Sequence, residues 1–455
     1  MPYTEAALAS LIKSYDIRGL VGSEIDENFC RDIGIAFAHL VRSSEIVVGY
    51  DMRPSSESLV AAFTAGVRSA GSSVVNIGLS ATDQLYFATG ILNIPGAMFT
   101  ASHNPAQYHG IKLARAGAKP IGVQTGLEEI RSALLTDSLP ISEHQGGYRT
   151  LDLLDSYSGH LRKLVDCQKI RHLTVVVDAG NGMAGHTVPH VFGPLNLTVI
   201  PMYFELDGTF PNHEANPLDS ATLRELQQRV VREGADLGLA FDGDADRCFL
   251  VDENGVIVEP SLLTALIAER ELQKFPGSTI IYSLISSRIV PEVIAAKGGI
   301  PSRSRVGHSF IKSQMAQTNA IFGGEHSGHF YFRDFWNADS GMLAALHALA
   351  ALGATPPGVR FSEIIAKYRK YIGSGEINSR VSGSAEVAAA MLRIEERFAQ
   401  AGEVDRLDGL TISAIDWWLN VRASNTEPLL RLNVEANNSE IMARIRDEAL
   451  EVIRQ

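Results

Sequence analysis

The sequence predicts an α/β protein built from three or four consecutive units. Helical patterns alternate with short Val/Ile-rich runs, as in residues 45–50, 55–70 and 73–77, which is the signature of sheets with helices packed on their faces. The length of 455 residues is too great for one ordinary domain. A hydrophobic fraction of 45% and a charged fraction of 20% are those of a globular chain able to bury several cores.

Composition also excludes some functions. A net charge of −12 opposes nucleic acid or an anionic membrane as partner, since both need a basic face. Cys30, Cys167 and Cys248 lie far apart, so neither a disulfide framework nor a zinc site is expected and the chain reads as cytoplasmic. The start lacks a basic region followed by an apolar core. The longest apolar run, 341–354, is interrupted by His347 and too short to span a bilayer, so it reads as a buried helix.

The first unit, 1–148, begins with Tyr15-Asp16-Ile17-Arg18-Gly19, in which Arg18 is either a surface charge or a phosphate ligand. Asp26 is placed to cap a helix reaching Val41; a strand over 45–50, a helix over 55–70 ending at Gly71 and a strand over 73–77 follow. Gly96-Ala97-Met98-Phe99 reads as a buried strand entering the polar loop Thr100-Ala101-Ser102-His103-Asn104-Pro105. Ser102 at that strand end is a turn residue or a nucleophile, and its own spacing does not decide.

The second unit, 149–254, offers a helix over 151–165, a strand over 173–177 and then Gly180-Asn181-Gly182-Met183-Ala184-Gly185. That glycine pattern has the form of a dinucleotide fingerprint, with Glu205 in the ribose position, and a nicotinamide-dependent oxidoreductase is the alternative it raises. Glycines at such a turn are equally wanted for close packing alone. After the strand 237–241 comes Asp242-Gly243-Asp244-Ala245-Asp246-Arg247. Three alternating carboxylates repel unless a cation sits among them, and oxygen-only ligands select Mg²⁺, Mn²⁺ or Ca²⁺. A helix-loop-helix calcium site is rejected because Arg247 stands where that loop needs glycine; a solvated acidic turn stays open.

The third unit, 255–370, follows a hairpin turn at Glu253-Asn254-Gly255. It contains a helix from Pro260, a strand over 278–283, the loop Val306-Gly307-His308-Ser309 leading to Lys312, and Gly323-Gly324-Glu325-His326-Ser327-Gly328-His329. A carboxylate and a hydroxyl between glycines suit sugar hydroxyls, and spacing disfavours His326 or His329 as a metal ligand. A linker over 368–374 opens the last unit, 371–455, with a helix from Ser384, strands over 410–415 and 417–421, and the stretch Arg422-Ala423-Ser424-Asn425-Thr426-Glu427-Pro428. This is a phosphate cradle, to which Arg431 lies near, or a polar hairpin turn.

Taken together and in this order, the four stretches resemble the α-D-phosphohexomutases, and especially their phosphomannomutase/phosphoglucomutase branch. The resemblance covers essentially the whole chain. It implies a four-domain, heart-shaped protein with three mixed α/β domains and a C-terminal α+β domain. It implies an isomerase that interconverts hexose 1- and 6-phosphates through a phosphoserine at Ser102, with a hexose 1,6-bisphosphate as intermediate and activator. By the same likeness Asp242, Asp244 and Asp246 hold Mg²⁺ together with Ser102, and Arg18, Lys112, Arg247 and His329 surround the reacting phosphate. Tyr15, His308, Glu325 and Ser327 contact the sugar, while Arg422, Ser424, Asn425, Thr426 and Arg431 grip the other phosphate. Lys112 or His329 is the candidate base, and His103 points elsewhere as a positioning residue. Gly180 to Gly185 becomes a structural turn. Where similar enzymes carry a lysine, this chain has Ser283-Leu284-Ile285-Ser286-Ser287. The expected partners are sugar phosphates, with phosphoglucosamine mutase as the alternative within the family and a monomer or dimer as the state.

Overall fold

A computed structural model describes residues 3–136, 139–167, 169–424 and 429–454. By its contacts the chain forms two compact units, one of Met1–Glu259 with Ser327–Ile364 and one of Pro260–His326 with Ile365–Gln455.

The first unit holds two α/β sheets. In one, the strands Glu45–Tyr50, Ser73–Leu79 and Gly96–Phe99 run parallel, with Tyr108–Arg115 antiparallel beside the last and Ile17–Leu20 beyond it. The helices Glu27–Val41 and Ser56–Ser69 cover this sheet. The first is capped by the Asp26 carboxylate, which accepts from the Phe29 amide. Phe63 links their packing to the sheet, its ring edge-on to Phe99 at 5.3 Å. In the other sheet Leu173–Asp178 runs parallel to both Leu197–Met202 and Leu237–Phe241, and Cys248–Asp252 returns antiparallel from the latter. Gly96–Phe99 and Leu237–Phe241 are buried at every position, as strands covered on both faces are. Both therefore deliver their following loops from the carboxyl end of a parallel strand, where α/β folds place ligands. The apolar helix Gly341–Gly353 is almost wholly buried in this unit, with His347 stacked on Phe332.

In the second unit Thr279–Ser283 lies parallel to Ile300–Ser304 and to Phe322–Gly324. A separate five-stranded antiparallel sheet runs in the order Ile372–Arg380, Leu429–Ala436, Trp417–Ala423, Leu410–Ser413, Glu403–Asp405, under the helices Ser384–Phe398 and Ser439–Ile453. This is the α+β element expected at the C-terminus.

Several boundaries differ from the expectation. The helix expected over 151–165 is Leu154–Leu164, because Tyr148–Thr150 first adds an edge strand beside Ser73–Leu79. The segment 368–374 is no extended linker: Ile372 and Gly373 already pair with Ala436 and Glu435. The loop after Val306 ends at Gly307, so His308 opens the helix His308–Thr318 and Lys312 is buried on it. Arg422 and Ala423 belong to a strand rather than to a turn.

Candidate active site

The loop after Gly96–Phe99 turns sharply at Ser102, whose φ of +50° lies in the left-handed region that side chains disfavour. Such strain persists only where surroundings impose it. Arg53 imposes it here: its buried guanidinium pairs with Asp51 at 3.2 Å and donates to the carbonyls of Ser102, Asn104, Pro105 and Tyr108 at 2.7 to 3.0 Å. The Ser102 amide donates to Thr100 Oγ1 at 2.9 Å. Nothing in the sequence marks Arg53 beyond its place two residues after a strand-end aspartate.

The acidic loop comes to meet this serine. A Cβ on Gly243 would stand 2.5 Å from the Ser102 carbonyl oxygen, and one on Gly182 would stand 2.6 Å from the Gly243 carbonyl oxygen. Only glycine permits that stacking of three backbones. Gly185 likewise abuts the Phe204 carbonyl, and Asn181 donates to the Glu205 carbonyl. Close packing thus accounts for Gly182 and Gly185, and a φ of +52° for Gly180, with Gly182 supporting the acidic loop.

Ser102 Oγ donates to Asp242 Oδ2 at 2.9 Å and receives an Arg247 N–H at 3.2 Å. Arg247, 2% exposed, also donates through Nε to Asp242 Oδ2 at 2.8 Å. Lys112 Nζ donates to Asp244 Oδ2 at 2.7 Å and Asp246 Oδ2 at 2.6 Å. Thr82 fixes Asp244 from the other side, its hydroxyl donating to Oδ2 at 2.6 Å and its amide to the Asp244 carbonyl. Arg18 contacts the Asn104 side chain and pairs with Asp16 at 2.6 Å. Tyr15 is half-buried at the start of the same segment.

His103 corrects an expectation. Its Nδ1 lies 3.2 Å from Ser102 Oγ and also contacts the Arg247 guanidinium, so it faces the cluster rather than away from it. Burial, then the charges of Arg247 and Arg18, hold its pKa well below the usual imidazole range. It is a neutral hydrogen-bonding group there.

The three carboxylates are buried and have oxygens within 4.8 Å of one another. Burial pushes Asp242 up to about 7, with Arg247 opposing and its two acidic neighbours adding to the rise. Burial is the largest influence on Asp244 and Asp246 and works against their charge, yet Lys112 with Thr82 for the one, and Lys112 with His329 and Arg247 for the other, together hold both below the usual range. For Lys112, burial is overcome by Asp244 and Asp246 and the group is held firmly as ammonium. Asp244 Oδ1 and Asp246 Oδ1 are buried without a hydrogen-bond partner. These orphaned anionic oxygens fit a hard divalent cation, since each carboxylate keeps one oxygen turned away from the lysine.

His329 Nδ1 meets Ser327 Oγ at 3.0 Å, and its Nε2 stands 3.6 Å from Asp246 Oδ1 and 3.9 Å from Asp339 Oδ2. Spacing along the chain disfavoured a histidine ligand, but Asp246, His329 and Asp339 form a second group of converging ligand atoms in space. Asp339 carried no signal in the sequence.

In the second unit Glu325, 3% exposed, accepts the Gly307 amide at 3.0 Å and so fixes the turn before His308. Arg422 and Arg431 face each other across adjacent strands, and Arg431 donates to Ser424 Oγ at 3.2 Å. Asn425 and Thr426 lie outside the described residues. The serine-rich stretch in place of the expected lysine is a buried turn in which the Ser287 amide donates to Ser261 Oγ at 3.1 Å.

Family models for phosphoglucomutase/phosphomannomutase match the chain throughout: α/β/α domain I over residues 9–139, domain II over 155–255, domain III over 259–371 and the C-terminal domain over 376–452. The chain is 42% identical to a phosphomannomutase of Salmonella montevideo over 430 residues, covering 92% of this chain and 93% of the relative. It is 40% identical over 429 residues to a phosphomannomutase of Escherichia coli K12, with 92% and 93% covered. Among solved structures, a phosphoglucomutase/phosphomannomutase family protein from Burkholderia thailandensis matches with a TM-score of 0.89 and 32% identity over 98% of both chains. A putative phosphomannomutase from Thermus thermophilus shares the fold, with a TM-score of 0.81, 23% identity and 97% and 98% covered.

Proposed function

We infer from the chain's place in the phosphoglucomutase/phosphomannomutase family, to which it belongs, that it is a phosphohexomutase. The reaction is the interconversion of hexose 1-phosphate and hexose 6-phosphate, with mannose phosphates as the first substrates and glucose phosphates as the second. The observation that carries the reading is the Ser102 hydroxyl, buried and held between Asp242 and Arg247 beside an acidic cluster in which Asp244 Oδ1 and Asp246 Oδ1 lack a hydrogen-bond partner.

The chemistry follows from these groups. With Ser102 phosphorylated, a free hydroxyl of the sugar monophosphate attacks phosphorus and gives its proton to a base, the bond from phosphorus to Ser102 Oγ breaks, and Oγ takes up a proton to become the hydroxyl again. The product is the bisphosphate; after it turns over, its other phosphate returns to Ser102. Phosphoryl transfer needs positioning and charge neutralisation above all. Arg247 donates to the departing Oγ. Lys112, which donates to both Asp244 and Asp246, suits charge stabilisation, and His329, whose Nε2 stands 3.6 Å from Asp246, takes the role of base. Asp242, Asp244 and Asp246 would hold Mg²⁺, which supplies neutralisation of the phosphoryl oxygens when bound. In the second unit Arg422, Ser424 and Arg431 grip the phosphate that is not reacting, and Glu325 and His308 contact the sugar.

Ser102→Ala, assayed with mannose 1-phosphate, Mg²⁺ and a hexose 1,6-bisphosphate, is expected to lose nearly all turnover while the wild type carries one phosphoryl group by intact mass. Turnover at the wild-type rate in that variant would refute the phosphoserine assignment.

A further inference from the structure

The two arginines assigned to the phosphate grip present a problem in electrostatics. Arg422 and Arg431 are direct partners across antiparallel strands, and like charges in that position repel. Arg422 is 6% exposed, so water screens the repulsion poorly. A third strand supplies the answer. Glu376 lies opposite Asn433, diagonal to Arg431; its Oε2 accepts from Arg422 at 2.7 Å and its Oε1 stands 3.1 Å from Arg431 Nη1. One carboxylate spans both guanidiniums, an oxygen to each, as two oxygens of a phosphate would.

The backbone is shaped for this contact. The pairing of Ile372–Arg380 with Leu429–Ala436 shifts register between Gly373 and Glu376. Gly375 there has a φ of +68°, and Ser374 Oγ accepts the Val434 amide at 3.0 Å. A bulge of this kind re-aims the side chain that follows it, here into the arginine pair. His326 is in the same field: burial lowers its pKa, Glu376 raises it and Arg422 lowers it again.

We propose that Glu376 is an internal counter-ion of the phosphate grip, which aligns Arg422 and Arg431 between substrates and weakens their hold so that a bisphosphate can leave and rebind turned around. The proposal rests on the reading that these arginines bind phosphate. A mutase differs here from an enzyme that binds once, because its intermediate must be let go midway through every cycle. A grip of two unopposed guanidiniums would hold it too long.

The test is binding of inorganic phosphate and of mannose 1-phosphate by calorimetry, with steady-state kinetics, in Glu376→Gln and Arg422→Ala. Losing one opposing charge at hydrogen-bond distance is expected to tighten phosphate binding by about tenfold in Glu376→Gln. KM and kcat should fall together as release slows. If Glu376 merely props the arginines, the same variant binds phosphate more weakly, and that result or unchanged binding overturns the proposal. Glu376→Asp, too short to reach both partners, is expected to shift binding in the same direction by less, and it decides the matter if the glutamine variant fails to fold. Unchanged phosphate binding in Arg422→Ala would instead refute the grip itself. Weakened binding there, with no tightening in Glu376→Gln, refutes only the counter-ion.

Discussion

Arg53 shows how one side chain can set a reactive geometry without touching the reacting atoms. Its fork satisfies four carbonyls of a single turn while Asp51 balances its charge, and Phe210 covers the guanidinium face at 5.1 Å. Lysine has the charge but not the fork. Arg53→Lys is therefore expected to lower kcat by at least about tenfold with KM for mannose 1-phosphate changed by less than about twofold, because misplaced nucleophiles lose rate before binding. A kcat within the error of wild type would show that the turn holds Ser102 unaided. Arg53→Met should also unfold at lower temperature, as it leaves the buried Asp51 carboxylate without its ion-pair partner, a cost of up to about 3 to 5 kcal/mol.

At the scale of elements, the helix Thr82–Ile91 joins two parts of the site. Its first residue holds Asp244, and its second, Asp83, receives the Ser340 hydroxyl at 2.5 Å next to Asp339. Burial is the main reason Asp83 is pushed up to about 7, and the hydrogen bond from Ser340 offsets only part of it. A carboxyl raised above its unfolded value of 3.8 binds more protons folded than unfolded between those limits, so stability falls as pH rises from about 4 to about 7. Thermal unfolding of Asp83→Asn should lose that share of the pH dependence and exceed the wild type at pH 8; parallel profiles for the two proteins would refute the raised pKa. The approach of the acidic loop is testable in the same way. Gly243→Ala forces the Ser102 carbonyl away, and a loss of about a hundredfold in kcat is expected from a displacement near 1 Å. Wild-type kcat would mean that the loops part without consequence.

Across the whole molecule, what was legible in the sequence was what is contiguous. The alternation of helix and strand, the serine loop, the acidic loop and Arg422 each declare themselves within about six residues, because strand ends and turn chemistry are local. Arg53, Thr82, Asp83, Asp339 and Glu376 were not legible. Each is an ordinary residue in its own neighbourhood; Arg53, Thr82, Asp83 and Glu376 acquire a role from partners 46 or more positions away, as with Ser102, Asp244, Ser340 and Arg422, and Asp339 acquires one from His329 across an intervening helical turn and strand. The inward turn of His103 was missed for a related reason. The positive φ of Ser102 reverses the direction expected of the next side chain, and strain of that kind leaves no mark in composition.

The same scale governs substrate choice. Mannose and glucose phosphates differ only at C2, and a bisphosphate that binds in two flipped orientations presents C2 at two places. A pocket that read C2 closely would fail in one of them. Glu325, anchored through Gly307, suits instead the adjacent C3 and C4 hydroxyls, which the flip roughly exchanges and the two sugars share. Both mannose and glucose 1-phosphates are therefore expected to turn over with kcat/KM values within about a hundredfold of each other, whereas the acetamido group of N-acetylglucosamine 1-phosphate needs room at C2 in both orientations and should be a poor substrate. Measuring all three under one bisphosphate activator decides it. A preference for glucosamine phosphates would move the chain to another substrate within its family and leave the phosphoserine chemistry standing, while strict rejection of glucose would show that C2 is read after all and that the flipped pose is not a simple exchange of C3 for C4.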